Sequence, residues 1–266
     1  MTTNTKNMYP NPAAQIWIAE LDYLRTYRAG LQTLLTGAEQ IRAQRYLQQD
    51  DRDRYLGGRA LVKLAVAKMT GIPPGEISVI TAATGKPSVS FVNENIMVPA
   101  ISISHAGQLV VVALQYGAET GVDVELFNHD VNLDDLMGVV CSKEEIAEIK
   151  LSDNKNRAQK FYAFWVLKEA YLKATGEGLS ADARKLVFSV NHASSVRLLK
   201  NLDNGDAADW QFVLKQYDEQ HLIALASKRS LPKTADDSGF GSAQYIPTFM
   251  DALSLLGDYC SGKTFD

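Results

Sequence analysis

Along this chain the spacing of apolar residues switches between helical and extended periods. Ile16 to Ile18 is a short aliphatic stretch that opens a first strand. Residues 20–70 read as helical: Leu31, Leu34 and Leu35 recur at helical spacing, as do Ile41, Tyr46 and Leu47. The clearest helix covers about 53–69, with Leu56, Ala60, Leu64 and Ala67 on one face; Gly71 and Pro73-Pro74-Gly75 stop it. Extended segments follow at 77–80, 89–92, 100–104, 109–116 and 121–127, with turns at Gly85-Lys86-Pro87 and Ala106-Gly107. Ser142 with Glu145 three residues on is a capping-box signature for a helix to about Leu151. Residues 153–157 are polar and read as a loop, and a long helix then runs to Thr175 and stops at Gly176. Strands return at 186–190, 196–199, 210–217 and 222–226, with a turn at Asp203-Asn204-Gly205-Asp206.

Helices then strands, followed by helices then strands again, predict an α+β fold of two similar halves divided near Gly117–Thr120. The expected units are residues 1–118 and 119–229. From Ser230 to Pro247 the composition is that of a linker, and residues 248–259 carry Phe249, Leu253 and Leu256 on one side of a short amphipathic helix. Residues 230–266 are therefore expected to be a linker and a helix that docks on the body or on a partner.

Composition narrows the classes. With 46% hydrophobic and 22% charged residues, the chain is globular and, at 266 residues, long enough to bury a core without metal or disulfide staples. The longest aliphatic run, Leu109 to Leu114, is far short of the roughly 20 residues of a membrane helix. Residues 1–12 show no basic-then-apolar leader, so a cytoplasmic protein with no membrane partner is expected. The net charge of −4 argues against a nucleic-acid partner. Cys141 and Cys260 lie far apart and read as free thiols, and the four histidines show no HxH or HxxxH spacing for a transition metal. The average charge hides an asymmetry: between Arg25 and Lys68 nine basic residues face four acidic ones. Such a run is either a solvated helix face or a surface for a polyphosphate or an acidic protein.

Three segments could carry chemistry. In Gly121-Val-Asp-Val-Glu125, residues two apart share a strand face, so Asp123 and Glu125 project together while Val122 and Val124 face a core. Paired carboxylates suit a hard cation, Mg²⁺ or Mn²⁺. The other reading is an alternating strand with a solvated face, and the strand alone favours that one. In the segment 161–173, Ala163, Leu167, Ala170 and Ala174 form a small-residue stripe, while Glu169 and Lys173 lie four apart beside Trp165. They are either a surface pair or groups held in a semi-buried cleft. In Ser104-His105-Ala-Gly107 a strand ends at a small-residue turn; His105 either meets an anion or caps a hairpin, and no catalytic-triad context accompanies it.

Together these segments resemble the 4′-phosphopantetheinyl transferases, specifically the long, Sfp-type monomeric branch. The matching pattern is Arg54-x-x-x-Gly58, Gly85-Lys86-Pro87, Ser104-His105-x-Gly107, Gly121-Val-Asp123-Val-Glu125, Trp165-x-x-Lys168-Glu169-Ala-x-x-Lys173 and Gly176-x-Gly178-Leu179, over about residues 40–190. The resemblance implies two α+β halves related by a pseudo-two-fold axis, with the active site in the cleft between them. It implies a monomeric, metal-dependent transferase that moves the 4′-phosphopantetheine arm of coenzyme A to a serine of an apo acyl or peptidyl carrier protein, releasing 3′,5′-ADP. It places Mg²⁺ (Mn²⁺ as the alternative) on Asp123, Glu125 and Glu169. Glu169 also matches the base for the carrier serine, and Lys173 and His105 match pyrophosphate contacts. Arg42, Arg54, Lys86 with Pro87, Ser104 and Lys168 match groups around the coenzyme.

Two positions depart from the family pattern. Glu39 stands where a basic residue can sit near the 3′-phosphate of the coenzyme, and Glu177 stands where a basic residue is common in the GxGL turn. The competing readings are a Mg²⁺-dependent phosphohydrolase or nucleotidyl transferase, which lacks its GxxxxGK[ST] loop here, and a non-catalytic relative that binds coenzyme A or a carrier.

Overall fold

The computed structural model describes residues 13–91, 96–128, 131–178, 181–191, 195–202, 207–229 and 247–263. The expected turn at 203–206, the linker at 230–246 and Leu179 of the GxGL turn lie outside them. The first part of the chain gives β1 (Gln15–Glu20), α1 (Leu21–Thr26), α2 (Arg28–Gln32), α3 (Gly37–Gln44), α4 (Gln49–Thr70), β2 (Ile77–Thr81), β3 (Pro87–Phe91), β4 (Ala100–Ala106) and β5 (Leu109–Gln115). The second gives β6 (Ala118–Leu126), α5 (Leu133–Val140), α6 (Lys143–Leu151), α7 (Asn154–Thr175), β7 (Val187–Val190), β8 (Val196–Lys200), β9 (Trp210–Gln216) and β10 (His221–Arg229). The chain ends in β11 (Thr248–Asp251) and α8 (Leu253–Cys260).

The two parts repeat one plan. Each opens with a strand, passes through short helices into a 22-residue helix, turns through a two-stranded hairpin and closes with two long strands. Within each part the last strand lies in the middle of an antiparallel trio, β1-β5-β4 in the first and β6-β10-β9 in the second, and β11 adds to the free edge of β1. Both long helices end on a left-handed glycine, Gly71 at φ 73° and Gly176 at φ 80°, as the sequence required.

Three apolar layers hold these elements. Alternate residues of β1 and β5 (Trp17, Val110, Val112 and Leu114) bury against α4, and Leu222, Ala224 and Ala226 of β10 bury against α7. The remaining faces of the two sheets pack on each other through Ile16, Ile18, Val111, Val122, Val124 and Ile223. Strand β5 is therefore buried at every position, which explains its continuous Leu-Val-Val-Val-Ala-Leu run.

Several expectations need correction. Helix α7 begins at Asn154, capped by the Asp153 carboxylate accepting from the Asn156 N–H, so the polar stretch read as a loop is its first turn. Residues 248–251 are a strand parallel to β1, and only 253–260 are helical. A long-range edge pairing decides this, which local periodicity does not report. The C-terminal helix docks on this chain's own first half, where Ala252, Leu255 and Leu256 join the α4 core. Among the described residues no helix is long and apolar enough to cross a membrane.

Candidate active site

The site exists because β6 and α7 approach unusually closely. At Gly121 a Cβ would overlap the Ala170 carbonyl oxygen and lie 2.5 Å from the Ala174 backbone nitrogen. The small-residue stripe of α7 therefore lies on the glycine of β6. From that contact onward along β6, Asp123 and Glu125 share a face with Gly121, and Trp165, Glu169 and Lys173 share the matching face of α7. The face of β6 that carries Asp123 is recessed, with Asp123 only 3% exposed and Glu125 half-buried, which argues against a plain strand with a solvated outer face.

Strand β4 supplies the other wall. The edge of β6 meets it without a ladder: the Val122 N–H donates to Ser102 Oγ at 3.0 Å and the Val124 N–H to Ser104 Oγ at 3.3 Å. Ser104 in turn donates to Asp123 Oδ1 at 2.8 Å, and Lys173 Nζ donates to both Ser104 Oγ and Asp123 Oδ1 at 2.7 Å. The pocket over this seam encloses about 470 Å³ and is lined from both halves, among others by Arg54 and Arg59 of α4, His105 of β4, Asp123 and Glu125 of β6, and Trp165, Glu169 and Lys173 of α7.

Its two ends differ in charge. At the β6–α7 end, burial and then the neighbouring Asp123 push Glu125 up to about 7, with Lys173 opposing. Glu169 is raised for the same reasons in the same order. At the α4 end the Tyr55 ring lies beside two guanidiniums, Arg42 at 5.8 Å and Arg59 at 5.4 Å from its centroid. Arg54 sits between, its Nε donating to the Gly107 carbonyl at 2.9 Å and its Nη1 paired with Asp51 at 2.7 Å. His105 is solvent-accessible but recessed; loss of bulk water, then Lys173 and Arg54, hold it below its ordinary value, so it is neutral at pH 7.

Most predicted groups meet in this pocket: Arg42, Arg54, Pro87, Ser104, His105, Asp123, Glu125, Glu169 and Lys173 all line it. Two do not. Lys168 is 1% exposed, paired with Glu145 at 2.5 Å and bonded to the carbonyls of Val140, Ala183 and Leu186. It points away because one residue along a helix is a rotation of roughly 100° from Glu169. Lys86 spends its ammonium on the Ala174 carbonyl at the end of α7, tying the two halves together. Glu39 does not face the pocket as a misplaced anion: it closes a capping box with Thr36 and pairs with buried Lys63 at 3.3 Å. Glu177 stays exposed at the turn after α7. Much of the basic excess is also internally paired, Arg25 and Arg28 with Asp53 above all. Tyr55 was not singled out from the sequence, and Arg59 entered only as one of the nine basic residues between Arg25 and Lys68. The signal was there: 54, 55, 58 and 59 form one stripe of α4, outside the apolar stripe through Leu56 and Ala60.

The donor set fits a hard cation. Asp123 Oδ2 is buried without a hydrogen-bond partner, and the two glutamates beside it are held up by burial first and then by its charge. Among the described residues no three acidic, His or Cys side chains already converge at metal-holding distances, and the Lys173 ammonium is the cation on Asp123 Oδ1.

A cleft between two α+β halves, acidic at one end and cationic at the other, has the chemistry to suit a phosphate-bearing ligand. Residues 119–226 match the family described as the 4′-phosphopantetheinyl transferase superfamily, and residues 25–116 match the one described as 4′-phosphopantetheinyl transferase, N-terminal. The chain belongs to the 4′-phosphopantetheinyl transferase superfamily. It is 28% identical over 204 residues to a putative 4′-phosphopantetheinyl transferase of Synechocystis, covering 77% of this chain and 79% of that one. It is 29% identical over 210 residues to a phosphopantetheinyl transferase of Thraustochytrium, covering 75% and 72%. The human L-aminoadipate-semialdehyde dehydrogenase-phosphopantetheinyl transferase is 26% identical over 258 residues, covering 82% and 81%. Among solved structures, a Bacillus anthracis holo-(acyl-carrier-protein) synthase in complex with CoA (3′,5′-ADP) aligns at TM-score 0.37 and 16% identity, covering 42% of this chain and 96% of that one.

Proposed function

We propose that this chain transfers the 4′-phosphopantetheine arm of coenzyme A to a serine hydroxyl of an apo acyl or peptidyl carrier protein and releases 3′,5′-ADP. One observation carries the reading: a single pocket at the β4–β6 seam gathers Asp123, Glu125, Glu169, Lys173, His105 and Arg54.

Each group has a task suited to its surroundings. Asp123, Glu125 and Glu169 would hold Mg²⁺, whose charge offsets that of the pyrophosphate oxygens when bound. Glu169, made more basic by burial and by Asp123, takes the proton of the carrier serine. The serine oxygen forms a bond to the phosphorus that bears the pantetheine arm. The bond from that phosphorus to the leaving 3′,5′-ADP breaks, and its electron pair stays on the leaving oxygen. Lys173 and neutral His105 stand beside the phosphates, and Arg42 with Arg54 holds the nucleotide end. Ser104 orients the Asp123 carboxylate. Preorganised cations at the leaving phosphate lower the barrier because they need no reorganisation as charge develops.

The test is incubation with coenzyme A, Mg²⁺ and several apo carriers, read by intact mass of the carrier. The wild type should add one phosphopantetheine per carrier, and Asp123→Asn should add none while melting within a few degrees of wild type. No adduct on any carrier would refute the reading.

A further inference from the structure

Three residues of the second half underpin the turn between β4 and β5. His221 opens β10 opposite Leu126, the residue after Glu125. Its ring is buried, 4% exposed, and the Asp218 carboxylate grips Nδ1 at 2.8 and 3.0 Å while accepting the N–H groups of Gln220 and His221 at 2.7 Å. A carboxylate accepts, so Nδ1 carries the hydrogen and the ring is fixed in plane. Its other nitrogen, Nε2, is buried with no hydrogen-bond partner. That edge bears on Gly107: a Cβ there would stand 2.8 Å from His221 Nε2 and 3.1 Å from Leu126 Cδ2. Gly107 itself is left-handed, φ 52°, and its carbonyl holds Arg54 Nε. Two residues before it, His105 faces the pocket.

We propose that His221, clamped by Asp218, is a positioning residue: it fixes the Gly107 turn and thereby aims Arg54 and His105 at the phosphates of the bound coenzyme. This rests on the transferase reading above. It also explains the glycine of Ser104-His105-x-Gly107, since the space a side chain would need is taken by a ring 114 positions later in the chain. The second half thus shapes the coenzyme contacts of the first, beyond contributing its own carboxylates.

The experiment compares coenzyme A binding by calorimetry with transfer kinetics for His221→Ala, Gly107→Ala, the double variant and Asp218→Asn. Each alanine variant should weaken coenzyme A binding about tenfold, the scale of one misaimed charge-assisted hydrogen bond. kcat at saturating coenzyme should fall by less than binding does, because Lys173 and the carboxylate end are untouched. In the double variant the new methyl enters the space the ring left, so binding should recover part of the loss, the left-handed strain at φ 52° remaining. Asp218→Asn keeps an acceptor for both backbone groups but sets an amide NH2 donor against Nδ1–H, loosening the clamp, and should weaken coenzyme A binding in the same direction as His221→Ala. A structural role alone would lower the melting temperature and kcat and leave the dissociation constant unchanged; that result overturns the proposal. So does a double variant whose losses simply multiply. Wild type that binds no coenzyme A would overturn the transferase reading and this one with it.

Discussion

Replacing Gly121 by alanine should damage activity more than its single added methyl suggests. The new Cβ would overlap the Ala170 carbonyl oxygen and come 2.5 Å from the Ala174 nitrogen, roughly 0.9 Å inside ordinary contact. Both obstacles are helix backbone, which cannot rotate aside as a side chain would. Strand β6 and helix α7 must therefore separate, at a cost of about 1–3 kcal/mol for overpacking of this kind. For a chain of this size that is a fall of roughly 2–10 °C in melting temperature. The separation moves Asp123 and Glu125 away from Glu169 and Lys173, so transfer should fall by more than tenfold in molecules that remain folded. Gly138→Ala in α5 is the control, because a Cβ there meets nothing within 4 Å and glycine in a helix is about 0.5–1 kcal/mol worse than alanine. It should melt at or above the wild-type temperature with unchanged turnover. The measurements are a thermal melt and initial transfer rates on the same preparations. A Gly121→Ala protein with both values at wild type would refute the claim that this contact builds the site.

Lys168→Met should lower stability by about 3–5 kcal/mol in urea titration, because it leaves Glu145 as an unpaired buried charge; the folded fraction should keep a wild-type KM for coenzyme A, which a phosphate ligand would not. Alkylation at pH 8 should label one thiol in the native protein and two in denaturant: Cys260 is exposed, whereas burial, with Glu145 adding and Lys168 opposing, pushes the Cys141 thiol up to about 12. His105 has its folded-state pKa below its ordinary 6.5, so the unfolded chain takes the proton first as pH falls. Its contribution therefore lowers stability through that window, and melts at pH 8, 6 and 5 should show a smaller acid loss for His105→Asn than for wild type.

What the sequence conveyed and what it withheld divide along the range of the interactions involved. Asp123 with Glu125, and Glu169 with Lys173, were legible because periods of two and four place each pair on one face within a single element. That the two faces oppose each other rests on Gly121 against Ala170 and Ala174, a contact between segments some fifty residues apart. Lys168 reads like its motif neighbours in one dimension, yet the helix turns it into the core toward Glu145. The same holds for Lys86, drawn to the end of α7 by a carbonyl of the other half. The strand at 248–251 forms only because β1 offers it an open edge. Tyr55 was missed and Arg59 stayed one member of a basic run, since aromatic and basic residues on a long helix have many ordinary uses, and only the pocket distinguishes these.

The central claim is that the pocket moves a phosphopantetheine group from coenzyme A to a carrier rather than cleaving a phosphate bond with water. A time course with equimolar coenzyme A and apo carrier, following 3′,5′-ADP and carrier mass in the same samples, tests it most directly. Holo-carrier and 3′,5′-ADP should rise together, one for one, and neither should appear without carrier. Release of 3′,5′-ADP with no gain in carrier mass would contradict the account and mark the protein as a hydrolase.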